Sequence, residues 1–212
     1  MNAREAIRLA AQNKPYGSAL RFAEATAVFL RGFLDHPDMV ASVVPSSRST
    51  IEAMLAPVDW ARCRLFVEYG PGVGTFTTHI LDRLAPDARL LAIDTNPRFI
   101  AYLEEAIVDP RFTAVLGSAA DVRAHVEAAG HREADYILSG LPFSALSREM
   151  GRDIVEASHA VLREGGAFMT YQFRPTARRL TEERFEAADN GLALLNVPPC
   201  LLTWGWKRPD QR

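Results

Sequence analysis

Glu68, Gly70, Gly72, Gly74 and Asp94 are the residues whose types and spacing first suggest chemistry. The stretch Leu65 to Thr77 is an apolar run that ends in an acid, followed by three glycines at every second position. Glycine serves where a chain must turn sharply or lie closer to a ligand than a Cβ allows, and a helix starting just after it presents unpaired N–H groups. The pattern therefore reads as strand, cradle and helix for a nucleotide-type ligand, with an ordinary strand-to-helix turn as the plain alternative. Its Gly-x-Gly-x-Gly spacing is not the Gly-x-Gly-x-x-Gly of dinucleotide enzymes, and no Gly-Lys-Ser/Thr ending of a phosphate loop follows. Asp94 lies 20 residues after Gly74, where a carboxylate can accept from both hydroxyls of a ribose. Asp94-Thr95-Asn96-Pro97 also reads as a helix N-cap, and the two roles are compatible. Further along, Gly117-Ser118-Ala119-Ala120-Asp121 offers small residues and a hydroxyl to border an adenine. Ser139-Gly140-Leu141-Pro142-Phe143 opens a fourth strand into a loop of carbonyls, a proline and an aromatic.

These residues need a frame that brings strand ends together. From Leu65 onward, β-rich runs (Arg89 to Ile93, Arg111 to Leu116, Ala134 to Ser139, Ala167 to Phe173) alternate with helical patterns (Phe76 to Leu84, Pro97 to Ile107, Ala119 to Ala129, Ser147 to Leu162). That alternation implies an α/β protein with a parallel sheet and helices on both faces. In such sheets ligands sit beyond the carboxyl ends of the strands, where strand order reverses. The later pattern predicts a helix over Thr181 to Asn190, then strands over Leu192 to Val197 and Leu201 to Lys207, forming an antiparallel hairpin. Ahead of the first strand, Ser49 or Thr50 is expected to cap Ile51 to Leu55, with Glu52 completing a capping box with Ser49.

The N-terminal part has a different character. Met1 to Gln12 and Ser18 to Leu34 are helical patterns, the second carrying Phe22, Phe29 and Phe33. Through Leu34 there are five basic residues and two acids, whereas the whole chain of 212 residues has a formal net charge of -2. A basic, Phe-rich segment suits an anionic membrane surface; the plain alternative is packing on the core with solvated charges. The overall balance gives no global attraction to nucleic acid, and two cysteines far apart indicate neither a disulfide framework nor a zinc site. No run of 18 apolar residues and no signal-peptide pattern is present, so the expected location is cytoplasmic.

Glu-x-Gly-Pro-Gly-x-Gly, Ile-Asp-Thr-Asn-Pro and Gly-Ser-Ala-Ala-Asp together resemble the class I S-adenosylmethionine-dependent methyltransferases, over about Val44 to Lys207. Three further stretches are similar to the bacterial phospholipid N-methyltransferases, which methylate phosphatidylethanolamine towards phosphatidylcholine: Phe29 to Leu34, Val43 to Arg48, and Ser139 to Phe143. The layout also looks like that of the ribosomal RNA adenine dimethyltransferases, whose motif after strand four is of the Asn-Leu-Pro-Tyr type. Here Gly140 stands at the Asn position and Phe143 at the Tyr position. An Asn there would accept from a planar exocyclic amine while the aromatic stacks on the base, so its loss disfavours nucleobase chemistry. With 24 Lys and Arg against 26 Asp and Glu, the broad basic face of an RNA enzyme is not expected either.

The resemblance implies a Rossmann-like, seven-stranded, mostly parallel sheet with one antiparallel strand. Residues 49–212 would form the core, and 1–48 a helical segment serving as membrane anchor and lid. It implies S-adenosylmethionine as methyl donor and S-adenosylhomocysteine as product. Glu68, Gly70, Gly72 and Gly74 would surround the methionine end, with Thr75 beside them and Ser46 and Ser47 nearby. Asp94 would take the ribose with Thr95 next to it, Ser118 and Ala119 would border the adenine, and Ser139, Gly140 and Leu141 would line the reactive mouth. Tyr16 and Tyr171 are candidates for an aromatic wall that attracts ammonium and methylated amines, the alternative being packing. Arg48, or Arg174, Arg178 or Arg179, could hold a lipid phosphate, the alternative being a solvated charge. His79, His125, His131 and His159 read as structural or exposed, while His36 stands beside the apolar connector. The expected partners are an anionic membrane surface on the inner face of the cell membrane and a phospholipid substrate, with no nucleic acid and no metal, the protein itself being a monomer. The readings that stay open are an RNA adenine or other small-molecule methyltransferase, and a non-catalytic S-adenosylmethionine-binding regulator.

Overall fold

The computed structural model describes residues 47–194 and 199–208. Tyr16, His36, Ser46 and the two N-terminal helical patterns lie outside them. The elements run α1 (Arg48–Leu55), β1 (Leu65–Tyr69), α2 (Thr75–Leu81), β2 (Arg89–Asp94), α3 (Pro97–Ala106), β3 (Phe112–Leu116), a 3-10 turn (Ala119–Asp121), α4 (Val122–Ala128), β4 (Ala134–Ser139), α5 (Arg148–Val161), β5 (Leu162–Gln172), α6 (Thr176–Arg184), β6 (Ala187–Ala193) and β7 (Cys200–Trp206). They build one seven-stranded sheet in the order β3-β2-β1-β4-β5-β7-β6. β7 alone runs against its neighbours, pairing antiparallel with both β5 and β6.

All five residues of β1 are buried, because both faces of the strand are covered, as parallel strands between helical layers require. Phe66 points into one core with Met54, Leu55, Phe76 and Ile80, while Leu65, Val67 and Tyr69 point into the other with Val122, Val126, Ile154 and Val155. Each such side chain contributes about 1.5–3 kcal/mol when fully buried. One polar anchor locks the amino ends of the strands. Buried Asp135 accepts from the backbone N–H groups of Arg64 (2.7 Å) and Leu65 (2.8 Å) and pairs with the Arg163 guanidinium. A carboxylate with that many donors holds the entry to β1 in register with β4 and β5.

Three details differ from the pattern reading. The N-cap of α1 is Ser47, whose hydroxyl accepts from Thr50 N–H at 3.3 Å, so neither Ser49 nor Thr50 caps it. The helix expected over Thr181 to Asn190 instead runs Thr176–Arg184, and the strand expected from Leu192 begins at Ala187. Ala-Ala-Asp-Asn-Gly has poor strand propensity, so pairing decides. β7 supplies the aromatic and β-branched partners, Thr203 Oγ1 lies 3.0 Å from Asn190 Oδ1, and Trp206 Nε1 donates to Asp189 at 2.8 Å. Finally, β5 starts at Leu162 rather than Ala167, through a Gly165-Gly166 irregularity in which Gly165 has φ +73°.

Strand order reverses between β1 and β4. The carboxyl ends of β1, β2, β3 and β4 therefore open on one side, and β5 adds its own end beside β4.

Candidate active site

Backbone hydrogen bonds stitch the four loops at that opening together. Gly70 N–H donates to Ile93 O (2.9 Å), Gly140 N–H to Tyr69 O (2.8 Å), and Gly117 N–H to Asp94 O (3.0 Å). The loops after β1, β2, β3 and β4 thus form one rim. Gly70, Gly72 and Gly74 all adopt positive φ, +62°, +55° and +81°. That is the left-handed region in which side chains are strained, so the three-glycine spacing reflects a backbone requirement at each position. Around Gly72 the space is open, with nothing within 4 Å of where a Cβ would stand, while at Gly74 a Cβ would come within 2.9 Å of Leu103. Gly74 is the N-cap of α2, and Thr75 is its first helical residue.

Glu68, one residue before the end of β1, is buried, 2% exposed, with Thr77 Oγ1 of α2 donating to its Oε2 at 2.7 Å. Asp94 closes β2 and accepts from Asn96 N–H at 2.8 Å. The cap of α3 is Asn96, whose side chain accepts from Arg98 N–H, so Asp94 is not the cap residue. It sits upstream, bracing the turn and facing the glycine loop. Thr95 beside it is exposed. Ser118 accepts from Ala120 N–H at 3.2 Å, and Ala119 is buried. His125, read as structural or exposed, packs its ring over Gly117, where a Cβ would lie 2.5 Å from Nε2.

At the fourth loop, buried Ser139 accepts from Leu141 N–H at 3.3 Å, and Leu141 O accepts from Gln172 Nε2 at 2.9 Å. A Cβ on Gly140 would stand 2.5 Å from Tyr171 Oη and 2.9 Å from Gly70 O. The phenol fills the place where a side chain at 140 would go. Its ring packs on Phe76 at 4.6 Å. Burial, with the Glu68 carboxyl nearby, pushes the Tyr171 phenol far above its ordinary range, so it stays protonated. Gly140, Pro142, Ser144, Tyr171, Phe173 and Arg174, with Gln172 between them, line a pocket of about 210 Å3 next to the rim.

Other expected residues do not line this pocket. Arg48 is 86% exposed on α1 and pairs with Glu52 at 3.9 Å, away from that pocket. Ser47 is engaged as the α1 cap. Arg178 pairs with Glu182 at 2.9 Å, and Arg179 is exposed. Of the four arginines, Arg174 is the one lining the pocket. Thr77, Phe76 and Gln172 were not singled out by sequence pattern; each acts through a partner on a different element.

Among proteins of known function, the chain is 30% identical over 162 residues to the ornithine lipid N-methyltransferase of Singulisphaera acidiphila, covering 74% of this chain and 84% of that protein. The chain belongs to the lipid N-methyltransferases. No protein-family model matches it. Its fold is shared with the precorrin-6y C5,15-methyltransferase of Geobacter metallireducens (TM-score 0.60, 15% identity, 82% of this chain and 96% of that one). It is shared too with the N-methyltransferase NodS of Bradyrhizobium japonicum in complex with S-adenosyl-L-homocysteine (TM-score 0.57, 16% identity, 76% and 84%).

This lipid N-methyltransferase shares its fold with those methyltransferases, and its rim would suit S-adenosylmethionine: a Cβ-free loop with open space at Gly72, and two carboxylates, Glu68 and Asp94, next to it. Burial, and secondarily the neighbouring Asp94, raise Glu68 from 4.5 to about 7, against the lowering effect of the Thr77 hydroxyl. An acid raised in the folded state binds its proton more tightly there than when unfolded. Stability of the cofactor-free methyltransferase should therefore fall as pH rises from about 4.5 to about 7 and level off above. A cationic cofactor favours the ionised form, so its affinity should rise with pH up to about 7, with proton release on binding. Calorimetry in buffers of different ionisation enthalpy measures that release. Glu68→Gln should flatten both slopes, leaving only the contribution of Asp94, which burial also raises; slopes unchanged in the variant would place their origin elsewhere.

Proposed function

We propose that the enzyme methylates the aliphatic primary amine of a membrane lipid headgroup, with an ornithine lipid as first reading and phosphatidylethanolamine as second. The observation that carries the order is the curated relative, an ornithine lipid N-methyltransferase that this chain covers over 84% of its length. The Phe29 to Leu34, Val43 to Arg48 and Ser139 to Phe143 motifs, similar to those of phosphatidylethanolamine enzymes, support the second.

When bound, S-adenosylmethionine supplies a methyl group on a positively charged sulfur, open to displacement by an amine lone pair. Glu68 and the Gly70-Gly72-Gly74 loop would hold its amino-acid end, Asp94 its ribose, and Ser118 and Ala119 would border the adenine. Ser139, Gly140 and Leu141 set the backbone wall at the mouth. The chain's task is alignment and exclusion of water, since a displacement of this kind needs no covalent intermediate on the protein. Tyr171, held protonated, offers a hydroxyl and a ring face rather than a base. No Asp or Glu lines the pocket among the described residues, and Arg174 stands at its edge, an environment that favours the neutral, nucleophilic amine over ammonium. The proton lost by the amine has exit to water past exposed Ser144 and Arg174.

None of the described helices is long and apolar enough to cross a membrane. Lipid access is proposed to come from peripheral attachment through the basic, Phe-rich segment up to Leu34, which lies outside the described residues. Deleting Met1 to Lys14 should reduce flotation with anionic vesicles, and the binding of the full chain should weaken with salt. Salt-insensitive binding that survives the deletion would sink this anchor. The acceptor itself is tested by supplying ornithine lipid and phosphatidylethanolamine in parallel vesicles with labelled S-adenosylmethionine. Label in neither lipid would overturn the reading, and the ratio between them ranks the two.

A further inference from the structure

The pocket beside the rim holds two functional groups without a partner among the described residues. Tyr171 Oη makes no hydrogen bond there, although its ring is packed on Phe76 and its position is fixed by the cross-strand register that puts Ser139 opposite Thr170. Arg174 forms no ion pair there, while Arg178, Arg184 and Arg152, all on α5 or α6, each have a glutamate. Gln172 is not available to a ligand in the same way, because its amide donates to Leu141 O and Tyr171 O, both at 2.9 Å. What remains is a phenol at the inner end and a guanidinium at the outer end, with the rings of Pro142 and Phe173 and the Ser144 hydroxyl between or beside them.

A phenol oxygen accepts from an amine N–H, and its ring face attracts an alkylated ammonium. A guanidinium forks onto a carboxylate or a phosphate. The inner end borders the glycine rim, since a Cβ built on Gly140 would stand 2.5 Å from Tyr171 Oη and 2.9 Å from Gly70 O. We propose that this pocket reads its acceptor as a zwitterion, the amine placed against Tyr171 Oη and Gly140 and the headgroup's acidic group held by Arg174. The shared chemistry is an amine and an anion on one headgroup, whether the anion is the carboxylate of an ornithine lipid or the phosphate of phosphatidylethanolamine. Arg174 then sets the reach of the headgroup into the pocket, and Tyr171 orients the nitrogen. The inference rests on the lipid-amine reading above.

The test uses the full chain with labelled S-adenosylmethionine and three vesicle sets in a phosphatidylglycerol carrier, containing ornithine lipid, phosphatidylethanolamine, or octadecylamine, which has the amine without the anion. Wild type should methylate at least one zwitterion with a kcat/KM at least about tenfold above octadecylamine, a difference of about 1.4 kcal/mol. Arg174→Gln should erase most of that preference, chiefly through KM, and Arg174→Lys should restore part of it. Tyr171→Phe, with cofactor affinity checked by calorimetry, should lower kcat for every amine while leaving the preference intact. An unchanged preference in Arg174→Gln would overturn the zwitterion inference and leave the lipid-amine reading standing. Wild-type transfer to octadecylamine equal to that for the zwitterions would overturn it too. Absence of label in all three lipids would overturn the lipid-amine reading, and this inference with it.

Discussion

Replacing Gly140 by asparagine is expected to cut methyl transfer by about 100-fold or more. The substitution restores the residue that the adenine enzymes carry, yet the space for it is taken. A Cβ at 140 would stand 2.5 Å from Tyr171 Oη and 2.9 Å from Gly70 O. Tyr171 cannot swing aside freely, because its ring is packed on Phe76, and Gly70 cannot retreat, because its N–H is bonded to Ile93 O at 2.9 Å. Accommodating the side chain therefore shifts the glycine loop or the phenol by a substantial fraction of an ångström, and displacement by about 1 Å in a positioned reaction costs about 100-fold. Overpacking of this kind also costs about 1–3 kcal/mol of stability, which thermal unfolding would register. Gly140→Ala should share most of the effect, since the clash begins at Cβ. Adding Tyr171→Phe removes one of the two obstructions and leaves the Gly70 carbonyl, so rescue of packing should be partial. A Gly140→Asn enzyme with wild-type turnover would mean that the rim is far more pliant than its hydrogen bonds imply.

Asp94→Ala is expected to weaken S-adenosylmethionine binding by about 100-fold, or about 2.7 kcal/mol. A hydrogen bond to a charged group is worth about 1.5–3 kcal/mol, and this carboxylate is proposed to serve the ribose while also holding the Asn96 N–H at 2.8 Å. Burial raises its pKa while the backbone N–H groups of Asn96, Gly72 and Thr95 pull it down, so the folded protein keeps a partly desolvated acid beside the glycine loop. Desolvation without a ligand is a cost that a structural turn would not need, which favours a binding role. Asp94→Asn keeps the shape and one acceptor oxygen and should fall between. Calorimetric titration decides, with the unfolding midpoint recorded alongside; unaltered affinity in Asp94→Ala removes this residue from the ribose.

The glycine loop was legible in the sequence because its signals are local. Three glycines at alternate positions report three positive φ angles, and an acid late in an apolar run falls one residue before Tyr69 closes β1. Asp94 was legible as a strand-end acid for the same reason, but not as distinct from the cap of α3, since Asp94-Thr95-Asn96-Pro97 offers two capping side chains within three residues. The acceptor side was not legible. Gly140 and Tyr171 meet only because β4 and β5 pair in the register Ser139 to Thr170, and no pattern in a single chain states that the phenol fills the missing side chain's place. Among four arginines, only placement sets Arg174 in the pocket and Arg48 on an exposed helix face. The β6 boundary was hidden too, because weak strand formers are held there by β7 rather than by their own propensity.

Methyl transfer to a lipid amine is the step on which the proposed chemistry depends. Its most direct test is incubation of the full chain with labelled S-adenosylmethionine in a mixture of ornithine lipid and phosphatidylethanolamine vesicles and ribosomal RNA, followed by lipid chromatography and counting of both fractions. The expected result is label on an aminolipid, lost in Gly140→Asn, with none above background in RNA. Label in the RNA fraction with unlabelled lipid would contradict it.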